Sequence, residues 1–356
     1  MQTSYWAEVK SVDWQAHYLI FKDQHKIVAA GLLLERKAFL QYSFFYCPRG
    51  FVLDYTNEVL VKEVLALAKE YVKNYHGFVL RFDPDIAYQI TDTRSKEVIC
   101  SNKDVYEMLG KYAKSTGLQK DMDSSSQPRF QMAVNLKNGS LLDKVKTKKR
   151  RLVKEEYLAA RGFEVYENTT VEGIKEFARL EKITETRQNV ALRNEAYFLR
   201  MYEAFKPDDL LKVYMVRVNM TELIAYNETL SDKEEEIKRL AALKQQYGNL
   251  INTNAIICVM GTPMVQMFYG ASDDAFARYK PGYRLHFYAM QRARELGYAY
   301  FNMGGVSGSL NDGLYRFKAE FGPELIEYVG DFDVVCHKFI YFLFTKGLAV
   351  YKKIRH

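Results

Sequence analysis

Lys318 stands in LYRFKAEFG, directly after Phe317 and just downstream of the glycine-rich stretch NMGGVSGSLNDG. A lysine held among packed aromatics is a point charge suited to an oxyanion or a phosphate; on an open surface it is only a solvated cation. Asp83, in RFDP, is a second candidate, read either as a functional carboxylate or as a turn former or helix cap. A third is the basic run KVKTKKRR with Lys144, Lys146, Lys148, Lys149, Arg150 and Arg151. It can neutralise several phosphates of a nucleic-acid backbone such as that of tRNA, or form a solvated helix face. The loop RYKPGY, Arg278 to Tyr283, lies between a strand and a helix, where acyl-CoA transferases cradle a pyrophosphate. It has one glycine, beside Pro281 and aromatic neighbours, so close wrapping by backbone amides is disfavoured and an ordinary tight turn is the alternative.

What is absent narrows the chemistry. There is no G-x-S-x-G elbow, Walker loop, H-E-x-x-H helix or paired-cysteine metal motif, and the six histidines do not cluster. Cys47, Cys100, Cys258 and Cys336 are scattered, which reads as reduced thiols rather than a disulfide framework or a zinc site. The expectation is transfer to an amine nucleophile carried by a substrate, with positioning and charge stabilisation supplied by the protein and neither metal nor cofactor required. A net charge of +7 favours an anionic partner without choosing one. MQTSYWAEVK contains no apolar leader core, and no apolar run approaches the roughly 18 residues of a membrane span, so a cytoplasmic location is expected.

The elements that must position these residues follow from hydrophobic patterning. YLIFKD and KIVAAGLLLER read as a hairpin, continued by AFLQYSFFY. A helix is expected from about Asn57 to Asn74, with Leu60, Val64, Leu67, Ala68 and Tyr71 as its apolar stripe. GFVLRFDPD reads as a buried strand that delivers Asp83 to its C-terminal end, where α/β sheets usually present chemistry. After a helix near Val105 to Ser115, the polar stretch DMDSSSQPR marks a domain junction, and the pattern starts again. FQMAVNL is a strand; helices are expected over Ser140 to Arg161 and Val171 to Val190, with strands around Val213 to Val218 and Asn254 to Met260. MFYGAS, LHFYAMQRARELG and YAYFNMGG form a βαβ unit. Between the strands around Val213 to Val218 and Asn254 to Met260, a candidate capping box of Ser231 and Glu234 predicts one short exposed helix ending at Gly248.

YCPRGFVLDY, VLRFDPD, the basic run, MFYGASD, FNMGGVSG and DGLYRFKAEFG with EYVGDFD together resemble, in order along nearly the whole chain, the Fem family of non-ribosomal peptidyl transferases, of FemX/MurM-like type. The resemblance implies an α/β fold with mixed sheets, made of two tandem GNAT-like (acyl-CoA N-acyltransferase-like) domains. These are expected at 1–128, completed by 329–356, and at 129–328, with a short helical insertion near 228–250. It implies a tRNA-dependent aminoacyltransferase that moves an amino acid from aminoacyl-tRNA to the stem-peptide amine of a peptidoglycan precursor, lipid II or UDP-MurNAc-pentapeptide. It makes Lys318 the oxyanion stabiliser, next to Phe317, and gives Asp83 and Asp331 the task of orienting or deprotonating the attacking ammonium. Lys10, Arg193 and Tyr197 match positions that contact the UDP-sugar or diphosphate region, Tyr269 matches the tyrosine of the family's Y-x-G-S-like strand as a further substrate-binding residue, and Lys146, Lys148, Lys149, Arg150 and Arg151 are the tRNA-contact candidates.

The insertion departs from the long helical arm of many tRNA-using members, since about 16 helical residues span only roughly 24 Å. The tail KFIYFLFTKGLAVYKKIRH joins an aromatic run to Lys346, Lys352, Lys353 and Arg355, which suits either an anionic membrane face or a packed C-terminal helix. Two other readings stay open: an acyl-CoA-dependent N-acyltransferase, and a non-catalytic protein that binds tRNA or an anionic precursor. A monomer is the default expectation.

Overall fold

A computed structural model of the chain describes residues 1–122, 124–188 and 193–355, with the side chains of 187, 188 and 348–355 outside the described ones. It divides into two compact units, 1–131 with 305–315 and 325–356, and 132–304 with 316–324.

The first unit opens with helix α1 (Ser4–Lys10), then strands β1 (Gln15–Asp23), β2 (Lys26–Phe39) and β3 (Tyr42–Cys47), paired antiparallel as the hairpin pattern predicts. Helix α2 (Glu58–Asn74) leads to β4 (Gly77–Phe82), which lies parallel to β3. The Asn57 side chain caps α2 by accepting from the Leu60 amide. The buried stripe is Val61, Val64, Leu65, Ala68 and Val72, while Leu67 faces solvent; the helix is turned by about one residue from the sequence expectation. Gly77 opens β4 because a Cβ there would sit 2.2 Å from Val72 Cγ1, so the helix-to-strand turn closes only over a glycine. The hairpin β5 (Ala87–Asp92) and β6 (Val98–Ser101), helix α3 (Lys103–Tyr112) and the two-residue strand β7 (Lys114–Ser115) follow.

Strand β8 (Phe130–Asn135) leads into the second unit. The long helix expected over Ser140 to Arg161 is broken into α4 (Leu141–Lys144), a 3₁₀ turn (Thr147–Val153) and α5 (Glu155–Ala159). Val145 and Lys154 are extended, and the Lys146 amide donates to the Glu320 carbonyl rather than within a helix. Strand β9 (Phe163–Glu167), helices α6 (Val171–Gln188) and α7 (Glu195–Phe205), and strand β10 (Leu211–Asn219) come next; Val190, the expected end of α6, lies outside the described residues. The expected single exposed helix is a packed pair, α8 (Met220–Glu228) and α9 (Glu234–Tyr247). Leu223 and Leu240 are fully buried, and the Glu236 carboxylate is held by Arg239, Tyr279 and Arg278. Hydrogen bonding by Arg239 leads in pulling that carboxyl down to about 2. The expected Ser231 cap does not form: Asp232 turns through φ 57°, and Lys233 starts the helix without a side-chain cap.

Strands β11 (Leu250–Met260) and β12 (Met264–Ser272) are antiparallel; helix α10 (Pro281–Glu295) then carries the chain to β13 (Tyr300–Val306), parallel to β12. In this unit the strands run β8-β13-β12-β11-β10-β9. Helix α11 (Gly313–Lys318) precedes β14 (Glu324–Tyr328), β15 (Phe332–Val335) and α12 (Lys338–Arg355), and β15 completes the first unit's six-stranded sheet, ordered β1-β2-β3-β4-β15-β7. Each unit thus holds a parallel strand pair joined through a helix, β3 with β4 and β12 with β13. Among the described residues no helix is long and apolar enough to cross a membrane.

Because α9 is seated through Leu240 rather than free, Leu240→Ala is expected to cost about 2–5 kcal/mol in denaturant unfolding, whereas an exposed helix would lose under about 0.5 kcal/mol.

Candidate active site

In the first unit, β4 ends at Phe82 and Asp83 is the next residue, 2% exposed. Its Oδ1 accepts from the Tyr46 hydroxyl and the Arg49 amide, both at 2.9 Å, while Oδ2 lies 3.7 Å from Arg49 Nε with no hydrogen bond among the described residues. Asp331, also 2% exposed, enters just before β15. Its Oδ2 accepts from the amide and hydroxyl of Ser126 at 2.8 Å, and Oδ1 has no hydrogen-bond partner among the described residues. Burial pushes the Asp83 carboxyl up to about 7, opposed by the Arg49 charge and reinforced by Asp331. Burial raises Asp331 as well, against the pull of Arg81. Arg81 grips Asp333 through two bonds of 2.7 and 2.8 Å and stays 3.9 Å from Asp331, so its charge is largely committed. Each carboxylate thus keeps one oxygen without a hydrogen bond among the described residues, in a dry setting. Lys10 closes α1 in the same unit, its amine 4.9 Å from the Trp6 ring.

In the second unit, β12 and β13 pair only at Met264 with Tyr300, Val265 with Phe301 and Gln266 with Asn302. Just past that register stands Gly304, at φ 81°; a Cβ there would lie 3.2 Å from the Met267 carbonyl and 3.8 Å from Lys318 Nζ. The glycine is required by its φ and leaves the lysine amine against bare backbone. Lys318 is 3% exposed. Phe317 beside it packs edge-on against Tyr283, His286 and Phe321. His286 was not singled out by the sequence. Burial drives its imidazole down to about 4, and the Lys318 charge adds to this. Its Nδ1 lies 2.7 Å from the Gly282 carbonyl, which can only accept, so Nδ1 carries the proton and Nε2 keeps a lone pair. A neutral imidazole leaves Lys318 without a competing cation on that side.

A separate cluster in the same unit gathers Arg193, Tyr197 and Tyr269. The Tyr269 hydroxyl donates to that of Tyr197 at 3.0 Å, and the Arg193 guanidinium lies 5.1 Å from the Tyr197 ring. Arg200, one face further along α7, adds a second guanidinium 5.9 Å from that ring, with a buried Nε that has no hydrogen-bond partner among the described residues. It stands three residues after Tyr197 on α7, which puts the two on one helical face. Glu181 on α6 also escaped the sequence reading; it is 5% exposed, and burial raises its carboxyl to about 7.

The basic run does not act as one face. Lys149 is 3.4 Å from Glu320 and lies over the Tyr283 ring, and Arg150 bonds the Val145 and Asp143 carbonyls. Lys146, Lys148 and Arg151 are exposed. At RYKPGY the chain forms a short 3₁₀ turn and enters α10 through Lys280 at φ 58°, with Pro281 first in the helix and no glycine-rich cradle. Asp83, Asp331 and Lys10 thus belong to the first unit, and Lys318, Phe317, Arg193, Tyr197, Tyr269 and the basic run to the second.

Comparison with known proteins follows these lines. The model of the FemAB family matches residues 1–226 and 219–346. Lipid II:glycine glycyltransferase of Staphylococcus epidermidis is 26% identical, with 97% of this chain and 90% of that protein aligned. The protein of the same name from Staphylococcus aureus is 27% identical over 96% and 89%. The crystal structure of FemX superposes with a TM-score of 0.78 at 24% identity, covering 96% of this chain and 93% of that one. A tandem GNAT protein of clavulanic acid biosynthesis gives 0.52 at 10% identity, covering 91% and 84%, a likeness of fold alone.

Asp83 sets a pH dependence of known sign. Its folded value near 7 stands above the ordinary 3.8, so between those pH values the folded state holds a proton that the unfolded state releases, and this site loses stability as pH rises. Thermal unfolding from pH 4 to 7 should show the wild type declining relative to Asp83→Asn; parallel profiles would mean that the carboxyl ionises normally.

Proposed function

The chain belongs to the FemAB family, and on that premise we propose that it is a tRNA-dependent aminoacyltransferase acting on the stem-peptide amine of a peptidoglycan precursor. The observation that carries the reading is the Lys318 amine, buried against Gly304 where the register of β12 and β13 ends. A fixed positive charge in such a place is worth most to a group that becomes negative only during reaction.

In the proposed reaction the acceptor amine attacks the ester carbonyl of aminoacyl-tRNA. The C–N bond forms, the carbonyl oxygen becomes an oxyanion facing Lys318, and collapse expels the ribose oxygen, which leaves with a proton. The acceptor arrives as an ammonium, because an alkylamine has an ordinary pKa near 10. Asp83 and Asp331 are the groups proposed to hold it and take its proton, since each has one carboxylate oxygen without a hydrogen bond among the described residues. A carboxyl at about 7 is a better base than an ordinary one. Phe317 and neutral His286 keep the Lys318 surroundings dry.

Arg193, Arg200, Tyr197 and Tyr269 present guanidinium and hydroxyl donors suited to the diphosphate of the acceptor's carrier, with Lys10 as a further cation. Lipid II is the acceptor favoured by the activity of the staphylococcal relatives, and glycine, alanine and serine are the donors in view. Lys146, Lys148 and Arg151 are proposed to meet tRNA phosphates, whereas Lys149 and Arg150 are held by the protein itself.

Incubation with a pool of radiolabelled aminoacyl-tRNAs and either lipid II or UDP-MurNAc-pentapeptide should move label into the peptide. Tight binding of both ligands with no release of amino acid would replace the transferase reading with a binding protein. The combined change of Lys146, Lys148 and Arg151 to Ala should weaken tRNA binding and flatten its log–log salt dependence by roughly 2 units, about 0.7 per lost phosphate contact.

A further inference from the structure

Helix α12 presents two apolar faces. The inner one sets Ile340 and Tyr341 into a cluster with Phe78 and Val79 of β4, and brings the Phe344 ring to 5.1 Å from Phe78 and 5.7 Å from Phe44. Tyr341 also donates to Asp333 at 2.9 Å, so the helix is fastened to the sheet by packing and by a buried hydrogen bond. Between these positions fall Phe339, Phe342 and Leu343, exposed by 63, 55 and 43%. Their spacing of three and four, extended to Lys346, defines one continuous outer stripe, and the Lys346 ammonium lies 5.7 Å from the Phe342 ring. Isolated exposed apolar residues need no explanation, but three large ones aligned on a firmly docked helix make a contact surface.

Charge identifies the occupant. From Lys338 to Arg355 the sequence carries Lys338, Lys346, Lys352, Lys353 and Arg355 and no aspartate or glutamate, in a chain of net charge +7. The side chains of Lys352, Lys353 and Arg355 lie outside the described residues, and they enter here by sequence only. A second copy of the chain would set this cationic helix against its own charge. Nucleic acid would engage the cations, and an unpaired base can stack on a ring, but a phosphate backbone leaves the aligned Phe, Phe and Leu stripe as a whole in water. An anionic bilayer satisfies both, with rings and the leucine at the headgroup–acyl boundary and lysines at the lipid phosphates.

We propose that the outer face of α12 is a membrane-docking surface, through Phe339, Phe342, Leu343, Lys338 and Lys346, for the anionic surface of a lipid bilayer. It goes beyond the transferase reading: a docked first unit would meet a lipid-anchored acceptor in the plane of the membrane, but docking itself needs no turnover. Because Ile340, Tyr341 and Phe344 already hold the helix, binding adds contacts to a folded surface rather than ordering a loose one.

The test is co-sedimentation of the full chain with vesicles of phosphatidylglycerol and phosphatidylcholine in equal parts, against phosphatidylcholine alone and against tRNA. The wild type is expected to bind the anionic vesicles, to bind neutral ones far more weakly and to be released by salt. Phe339→Ser with Phe342→Ser and Leu343→Ser should weaken vesicle binding at least about tenfold, with thermal unfolding little changed, because these side chains lie on the exposed face of the helix. Lys338→Glu with Lys346→Glu, which alters no buried residue, should weaken it by at least about fivefold per cation. No binding of the wild type to anionic vesicles, or equal binding by both variants, overturns the proposal. Vesicle binding absent while tRNA binding falls in the charge variant assigns the helix to nucleic acid instead. Since no arm measures transfer, failure of the transferase reading leaves this result intact.

Discussion

A charged side chain inside protein is retained only where something in the fold compensates its lost hydration, and this chain buries Lys318, Asp83 and Asp331 to 2 or 3% exposure. The two units manage this differently. Around the carboxylates, compensation is partial: one oxygen of each is hydrogen-bonded, by Tyr46 and Arg49 or by Ser126, while the other has no hydrogen bond among the described residues. Burial then raises both carboxyls toward the protonated form. Around Lys318 stand the Gly304 backbone, the aromatic wall that Phe317 joins, and an imidazole kept neutral. The carboxylate site, costly to form and with an oxygen of each group lacking a hydrogen bond among the described residues, is suited to a ligand that completes it.

Both arrangements rest on the same local geometry, a parallel strand pair bridged by a helix. In the first unit β3, α2 and β4 bring Asp83 to the strand's end, and the tight join at Gly77 fixes where that strand begins. In the second unit β12, α10 and β13 hold Lys318 where the pairing stops, with α10 supplying Tyr283 and His286 to the aromatic wall. The superposition on FemX at a TM-score of 0.78 extends this arrangement of elements to a solved structure.

Much of this was legible in the sequence where signals are local. The hairpin, the helix-bridged strand pairs, the placing of Asp83 at a buried strand's end, and the family itself were readable from patterning and ordered motifs. The parts that were not readable depend on tertiary partners. The rotation of α2 is decided by which side chains meet the sheet, and Leu67 loses to Leu65. The basic segment is broken because the Lys146 amide finds Glu320 across the chain. The α9 helix is packed because Glu236 finds Tyr279 and Arg278. His286 and Arg200 carry no motif; burial and neighbours alone make one neutral and leave the other with an unsatisfied nitrogen.

The central claim is that Lys318 acts on the transition state rather than on substrate binding. Steady-state kinetics of Lys318→Ala, with aminoacyl-tRNA and the precursor varied in turn, separate the two. The account predicts kcat reduced by about 10²–10³ with KM for either substrate nearly unchanged. Equal effects on KM alone, with kcat preserved, would contradict it and make Lys318 a binding residue.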